Sequence, residues 1–185
     1  NAVRQIAAGV DRTSRLVSQL LDLAALETSD EMETATHEPA CQLLVAVSTD
    51  MRMLSAQRGV AIELPKAMPL VNLPSPHLFT LAARNLIENA VNHSPRDGTV
   101  RCRIEAEAGR IRLVVEDDGP GIPESEMPHV TERFFRGSHR NETGSGLGLA
   151  IVKMATERMG GELTLRNRPQ SGLSASIIVP GTIVG

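Results

Sequence analysis

Over residues 2–28, Val3, Ile6, Val10, Thr13, Val17, Leu20 and Ala24 recur at alternating steps of three and four. That spacing predicts one long helix with a coiled-coil seam. Leu16, Leu21, Leu23 and Leu26 widen the apolar face, which suits a helical bundle better than a two-stranded coil. A core helix of a single domain is the alternative reading. Residues 28–38 are polar, acidic and without period, as a linker or boundary is. Pro39 then suits the first turn of a helix running to about Arg58, with Gly59 as its stop.

Further on the period changes. Val60–Leu64 and Leu70–Leu73 are short strand candidates. Ser75-Pro76 reads as a helix start, with a capping side chain followed by proline at the first helical position. Phe79, Ala82, Ala83, Leu86, Ile87, Ala90 and Val91 form one apolar face of that helix, and Asn85, Asn89 and Asn92 lie on another. Ser94–Gly98 ends it. From Val100 to Glu107 apolar and charged residues alternate, Ala108-Gly109 makes a hairpin turn, and Ile111–Glu116 returns. Residues 119–146 are rich in Gly, Pro, Ser, His and Arg, with a short helix expected after Pro123. So long an irregular stretch is usually functional. A helix over Leu147–Met159, broken by Gly160-Gly161, precedes strands at Glu162–Arg166 and Ser174–Val179. Residues 60 onward therefore predict an α/β layer fold, a mixed sheet with helices on one face.

Composition narrows the function. Nineteen Lys and Arg against 22 Asp and Glu leave a formal charge of −3 over 185 residues, without the basic excess of a nucleic-acid binder. Three Phe with no Trp or Tyr nearly exclude an aromatic stacking platform for single strands. Cys41 and Cys102 stand far apart and fit small buried hydrophobes better than a disulfide or zinc site. No apolar run approaches membrane-spanning length.

Four motifs carry candidate chemistry. Asn85 and Asn89, one turn apart, sit mid-helix, where Asn competes for backbone hydrogen bonds. A carboxamide oxygen is a hard, neutral ligand able to complete an Mg²⁺ shell beside phosphates; a solvated polar face is the alternative. Glu116-Asp117-Asp118-Gly119-Pro120-Gly121-Ile122 brings carboxylates to the end of a buried strand, where one can accept a hydrogen bond from an exocyclic amine such as that of adenine. An acidic turn is the alternative there. Phe134 and Phe135 sit in the most polar stretch, as an anchor pinning a loop to the core would, with Arg136 and Arg140 able to reach phosphate oxygens. A small staple with solvated arginines explains this piece equally well. Gly144-Ser145-Gly146-Leu147-Gly148-Leu149 opens a helix with alternating glycines, which lets backbone N–H groups approach an anion. It is neither a P-loop nor a Rossmann fingerprint.

In this order the four motifs resemble the ATP-binding domain of sensor histidine kinases, in the wider family shared with gyrase B, Hsp90 and MutL. The resemblance covers about residues 40–181. It implies a two-layer α/β sandwich binding ATP and Mg²⁺. By position, Asn89 would ligate the metal with Asn85 assisting, Asn92 and His93 would line the nucleotide site, and Asp117 would accept the adenine amino hydrogen. Gly119, Gly121 and Ile122 would shape the adenine pocket. Phe134 and Phe135 would seat the lid beside Arg136, and Gly144, Ser145, Gly146, Leu147, Gly148 and Leu149 would wrap the triphosphate.

Residues 1–30 resemble the second helix of the kinase dimerisation hairpin, followed by a linker over 31–38 and the catalytic domain over 39–185. The overall wording is closest to membrane-bound two-component sensors of envelope signals. The resemblance thus implies a homodimer through hairpin helices, a response-regulator partner, no nucleic acid, and a cytoplasmic domain of a bacterial inner-membrane protein, anchored by segments outside this stretch. The acceptor histidine is missing: none of the five histidines, His37, His77, His93, His129 and His139, has a Ser-His-Glu-Leu-Arg-like context. The chain is therefore expected to be unable to phosphorylate itself. Three other functions compete. Gyrase- or MutL-like ATPases carry Glu four residues before the metal Asn, where this chain has Asn85, which cannot accept a proton. Anti-sigma-factor serine kinases share the motifs without the leading helix. A dimerisation module with a degenerate pocket would not need the intact Asn, Asp and Gly set.

Overall fold

The computed structural model describes residues 2–28, 38–137 and 144–184. The expected linker and Arg140 lie mostly or wholly outside the described residues. Helix α1 (Ala2–Thr28) comes first, then α2 (Ala40–Asp50), α3 (Arg52–Arg58), β1 (Ala61–Glu63), β2 (Val71–Asn72) and α4 (Pro76–His93). After them follow β3 (Thr99–Glu107), β4 (Arg110–Glu116), α5 (Gly148–Arg158), β5 (Glu162–Asn167), β6 (Leu173–Pro180) and β7 (Thr182–Ile183).

The main sheet has the order β1-β3-β4-β6-β5. Only β1 and β3 run parallel; the other neighbours are antiparallel. It is thus a mixed sheet, as the alternation of strand and helix signals predicted. Ala108 (φ 50°) and Gly109 (φ 77°) both turn left-handed between β3 and β4, the geometry a two-residue hairpin needs. β2 and β7 pair as a separate two-stranded ribbon, and β7 is too short to leave a sequence signal.

Helices α4 and α5 cover one face of the sheet, and α2 packs against α4. Phe79, Leu86 and Ile87 of α4 and Ile151 of α5 are fully buried, meeting Leu113 and Ile177 of the central strands. The apolar face expected on α4 is therefore the centre of the core. Three local expectations need correction. The single helix over 39–58 is two, broken at Met51 (φ −79°, ψ −6°), which caps both and whose side chain is buried. Gly59 ends the second, left-handed at φ 66°. Ser75 precedes Pro76 as expected but makes no side-chain cap; its carbonyl accepts from Phe79 N instead. Pro123 starts no helix: residues 124–131 form successive turns, such as His129 N to Glu126 O.

The broad apolar face of α1 divides. Leu23 and Leu26 are buried, with α1 packed against α5. Val10, Val17, Leu20 and Leu21 remain exposed, so the seam from Val10 onward faces water. Among the described residues no helix is long and apolar enough to cross a membrane.

Candidate functional site

The pocket opens between α4, the end of β4 and the start of α5. Helical periodicity aims Asn85, Asn89, Asn92 and His93 at it, one turn of α4 after another. Asn85 is only 5% exposed. Its Nδ2 donates one N–H to Leu81 O at 2.9 Å, and the side chain lines the cavity. There Gln19 Nε2 of α1 donates to Oδ1 across a long 3.5 Å.

Asp117 follows directly on β4 and is 4% exposed. The buried run Leu113–Val115 carries it to the rim. Its Oδ1 accepts from Gly119 N (2.8 Å) and Leu173 N (3.2 Å). Burial raises its pKa; the two backbone N–H groups, His93 and Arg168 oppose that rise. The adjacent Asp118 has the opposite environment. It points to the other side and accepts from Arg101 (2.9 Å), Arg168 (2.9 Å) and Thr99 N (3.0 Å). Chiefly through Arg101, its pKa falls to about 2. One carboxylate of the acidic triplet serves the pocket, and its neighbour staples the rim.

The turn after Asp117 is built by close approach. A Cβ on Gly119 would meet His93 O at 2.7 Å, and Gly121 sits left-handed at φ 76°. Asn167, at the end of β5, clamps the turn from outside: Ile122 N donates to its Oδ1 (2.8 Å) while its Nδ2 donates to Ile122 O (2.7 Å). Arg168 Nη1 holds Asp117 O at 2.6 Å, and Gly172 passes so near that a Cβ would lie 1.9 Å from that same oxygen.

The glycine loop closes the opposite wall. Gly146 is left-handed at φ 75°, and a Cβ there would meet Phe134 C and Phe135 O at 2.7 Å. Phe134 N donates to Gly146 O at 2.9 Å. Backbone, rather than an aromatic anchor, therefore joins the two segments. Phe134 is 58% exposed with φ 64°, which corrects the expectation that it pins a loop to the core. Phe135 stacks on His129, ring centres 6.0 Å apart. Ser145 Oγ accepts Leu147 N at 3.1 Å, and α5 starts at Gly148 with its N-terminus toward the pocket.

Of the sequence-selected residues, Asn85, Asn89, Asn92, His93, Asp117, Gly121, Ile122, Phe135, Arg136, Gly144, Ser145, Gly146, Gly148 and Leu149 line one cavity. Gly119, Phe134 and Leu147 do not line it; Gly119 and Phe134 shape its backbone frame, and Leu147 is core. Sequence reasoning missed Arg15, Gln19 and Glu88, which also line the cavity, and the clamp of Asn167, Arg168 and Gly172. The polar run Asn167–Arg168 ending an otherwise alternating strand was the only signal of that clamp.

Among the described residues no cluster of three or more His, Cys, Asp or Glu could hold a metal by itself. The donor set fits a hard cation held mainly by ligand phosphates and completed by neutral carboxamide oxygens.

A mixed sheet covered on one face by helices, with a carboxamide helix, a buried rim carboxylate and a glycine turn around one cavity, defines a nucleotide-binding α/β sandwich. The chain belongs to the histidine kinase-, DNA gyrase B-, and HSP90-like ATPase family, whose model matches residues 75–183. It carries the ATP-binding catalytic domain found in sensor histidine kinases. It is 32% identical over 177 residues to sensor protein QseC of Escherichia coli (strain K12), covering 95% of this chain and 38% of QseC. The mycobacterial sensor histidine kinase MprB superposes with a TM-score of 0.73 at 29% identity, over 80% of this chain and all of that structure (100%). Full-length ShkA in complex with AMPPNP matches the whole chain (100%) and 38% of its own, with a TM-score of 0.81 at 24% identity, a likeness of fold.

Proposed function

We propose that this chain is the ATP-binding portion of a sensor histidine kinase that transfers the γ-phosphoryl of ATP to a histidine on a dimerisation hairpin, for relay to a response-regulator aspartate. One observation carries the reading: the Asn85–Asn89 pair, Asp117 and the Gly144–Gly148 loop line a single cavity. In it Asp117 accepts the adenine amino hydrogen. Asn92, His93 and Arg136 line the ribose and phosphate path, and the glycine loop with the N-terminus of α5 offers N–H groups to the triphosphate. Asn89, with Asn85, holds Mg²⁺, which neutralises charge developing on the γ-phosphate. ShkA's AMPPNP supports a triphosphate in such a site.

Transfer to protein is favoured over water attack. Asn85 cannot take a proton, and Glu88 is held by Arg15 at 3.0 Å rather than left to activate water. The proposal includes a division into hairpin helix (1–30), linker (31–38) and catalytic unit (39–185), and a homodimer through the hairpin. It places the unit on the cytoplasmic side of a bacterial inner-membrane sensor.

The test supplies Mg²⁺-ATP and a separate hairpin carrying an acceptor histidine. Acid-labile phosphate is expected on the hairpin and none on this chain. Phosphate on the chain itself, or release of inorganic phosphate without transfer, would overturn the reading. With Asn89→Ala, nucleotide should still bind through adenine, but Mg²⁺ should no longer tighten it.

A further inference from the structure

The nucleotide cavity has a wall that none of the four motifs supplies. Helix α1 lies along it, and Arg15 and Gln19 line the cavity from outside the sandwich. Gln19 is 9% exposed and bridges two walls with one carboxamide. Its Nε2 donates to Asn85 Oδ1 at 3.5 Å, and its Oε1 accepts Ser145 Oγ at 2.5 Å. Arg15, one turn earlier, pairs with Glu88. Further along, Leu23 and Leu26 are buried, Arg133 pairs with Glu27, and Arg158 Nη1 donates to Leu26 O at the end of α1. The pocket-facing contacts of α1 are thus polar, while its apolar grip, Leu23 and Leu26, lies one and two turns further on, against α5.

We propose that α1 is a latch on the nucleotide site: Gln19 ties α4 to the glycine loop, and nucleotide entry breaks the tie. The proposal rests on the nucleotide reading above. Gln19 occupies the two groups a bound triphosphate and its metal would call on, the Asn85 oxygen and the Ser145 hydroxyl. The bond to Asn85 is long, hence weak, and ready to be replaced by a better partner. Docking of α1 and occupancy of the cavity therefore oppose each other. Because coupling between two sites is reciprocal, nucleotide must loosen α1 by the same factor by which α1 weakens nucleotide. A displacement of α1 is then felt directly at the cavity.

The test titrates a fluorescent ATP analogue with Mg²⁺ against the full chain, Gln19→Ala and Leu23→Ala. Amide hydrogen exchange is followed over residues 15–27 with and without the analogue. Ala is a good helix former, and circular dichroism verifies that both variants stay folded. Removing the bridge, or loosening the apolar grip, should tighten nucleotide about three- to tenfold, the scale of one to two net hydrogen bonds. Exchange over 15–27 should rise on binding. Weaker binding by Gln19→Ala would make Gln19 a ligand contact and overturn the latch. Unchanged affinity in either variant, or slower exchange over 15–27 on binding, would overturn it too. If the full chain shows no saturable binding, the nucleotide reading itself falls, a result separable from all of these.

Discussion

Two adjacent carboxylates, Asp117 and Asp118, show how far environment decides a residue's task. Asp117 is buried, which raises its pKa, and as a carboxylate it offers an amine a charge-assisted hydrogen bond. Asp117→Asn is expected to weaken nucleotide by about one to two decades, the roughly 1.5–3 kcal/mol of a charged hydrogen bond. Equal affinities in a fluorescent titration would place the adenine elsewhere. Asp118 is held well below its ordinary 3.8, at about 2, by Arg101. Its stabilising effect is therefore complete above 3.8 and lost as pH falls toward 2. Denaturant melts should show Asp118→Asn less stable than the parent near neutrality, and the gap should close in strong acid. It should be modest, since the group is about a third exposed, with a side-chain exposure of 32%. Gly172 is a third case. At φ 98°, with 1.9 Å between a Cβ and Asp117 O, Gly172→Ala combines left-handed strain with a clash on rigid backbone. A loss of at least about 2–3 kcal/mol in stability, or loss of nucleotide binding with the fold kept, is expected.

The elements differ in how openly they declared themselves. Helix α4 was fully legible, because one apolar stripe and one asparagine stripe were both long enough to fix its phase. The β3–β4 hairpin was legible for the same reason, with alternation on both sides of Ala108-Gly109. Helix α1 was legible as a helix but not as a surface. Its pattern is apolar over too wide an arc, and only packing shows that Leu23 and Leu26 turn inward while Val10 and Val17 stay wet. Hydrophobicity pointed to Phe134 as an anchor, yet it is exposed; what joins the segment to the glycine loop is the Phe134 N to Gly146 O bond and the absence of a Cβ at Gly146. Gly146→Ala should accordingly disturb this wall. Nucleotide affinity is expected to drop severalfold and the melting temperature to fall by a few degrees, because left-handed strain of about 1–3 kcal/mol destabilises the folded loop. A melting temperature that falls while affinity holds would contradict this.

At the scale of the whole molecule, an apolar face of α1 lies exposed among the described residues. Val10, Val17, Leu20 and Leu21 form an exposed stripe along α1, more than a soluble monomer usually leaves bare. Self-association through α1 is the expected result in solution, and removal of residues 1–30 should give a monomer that still binds nucleotide. Light scattering coupled to size exclusion on both chains measures this. A monomeric full chain would mean that the stripe needs a partner other than a second copy.

Periodicity, hairpin chemistry and glycine spacing are local properties, and they alone determined the mixed α/β class, the order of the main elements and the four motifs. They act within a few residues, where a side chain's spacing is enough to fix its direction. The convergence of Asn85, Asp117 and Gly146 on one cavity, the opposite fates of Asp117 and Asp118, the Asn167 clamp on Ile122, and the reach of Gln19 into the site were decided by tertiary structure. Each depends on contacts between residues far apart in the chain, such as Gln19 with Asn85 or Asn167 with Ile122. No local pattern encodes such distances; only the packed sheet and its helices bring those backbones together.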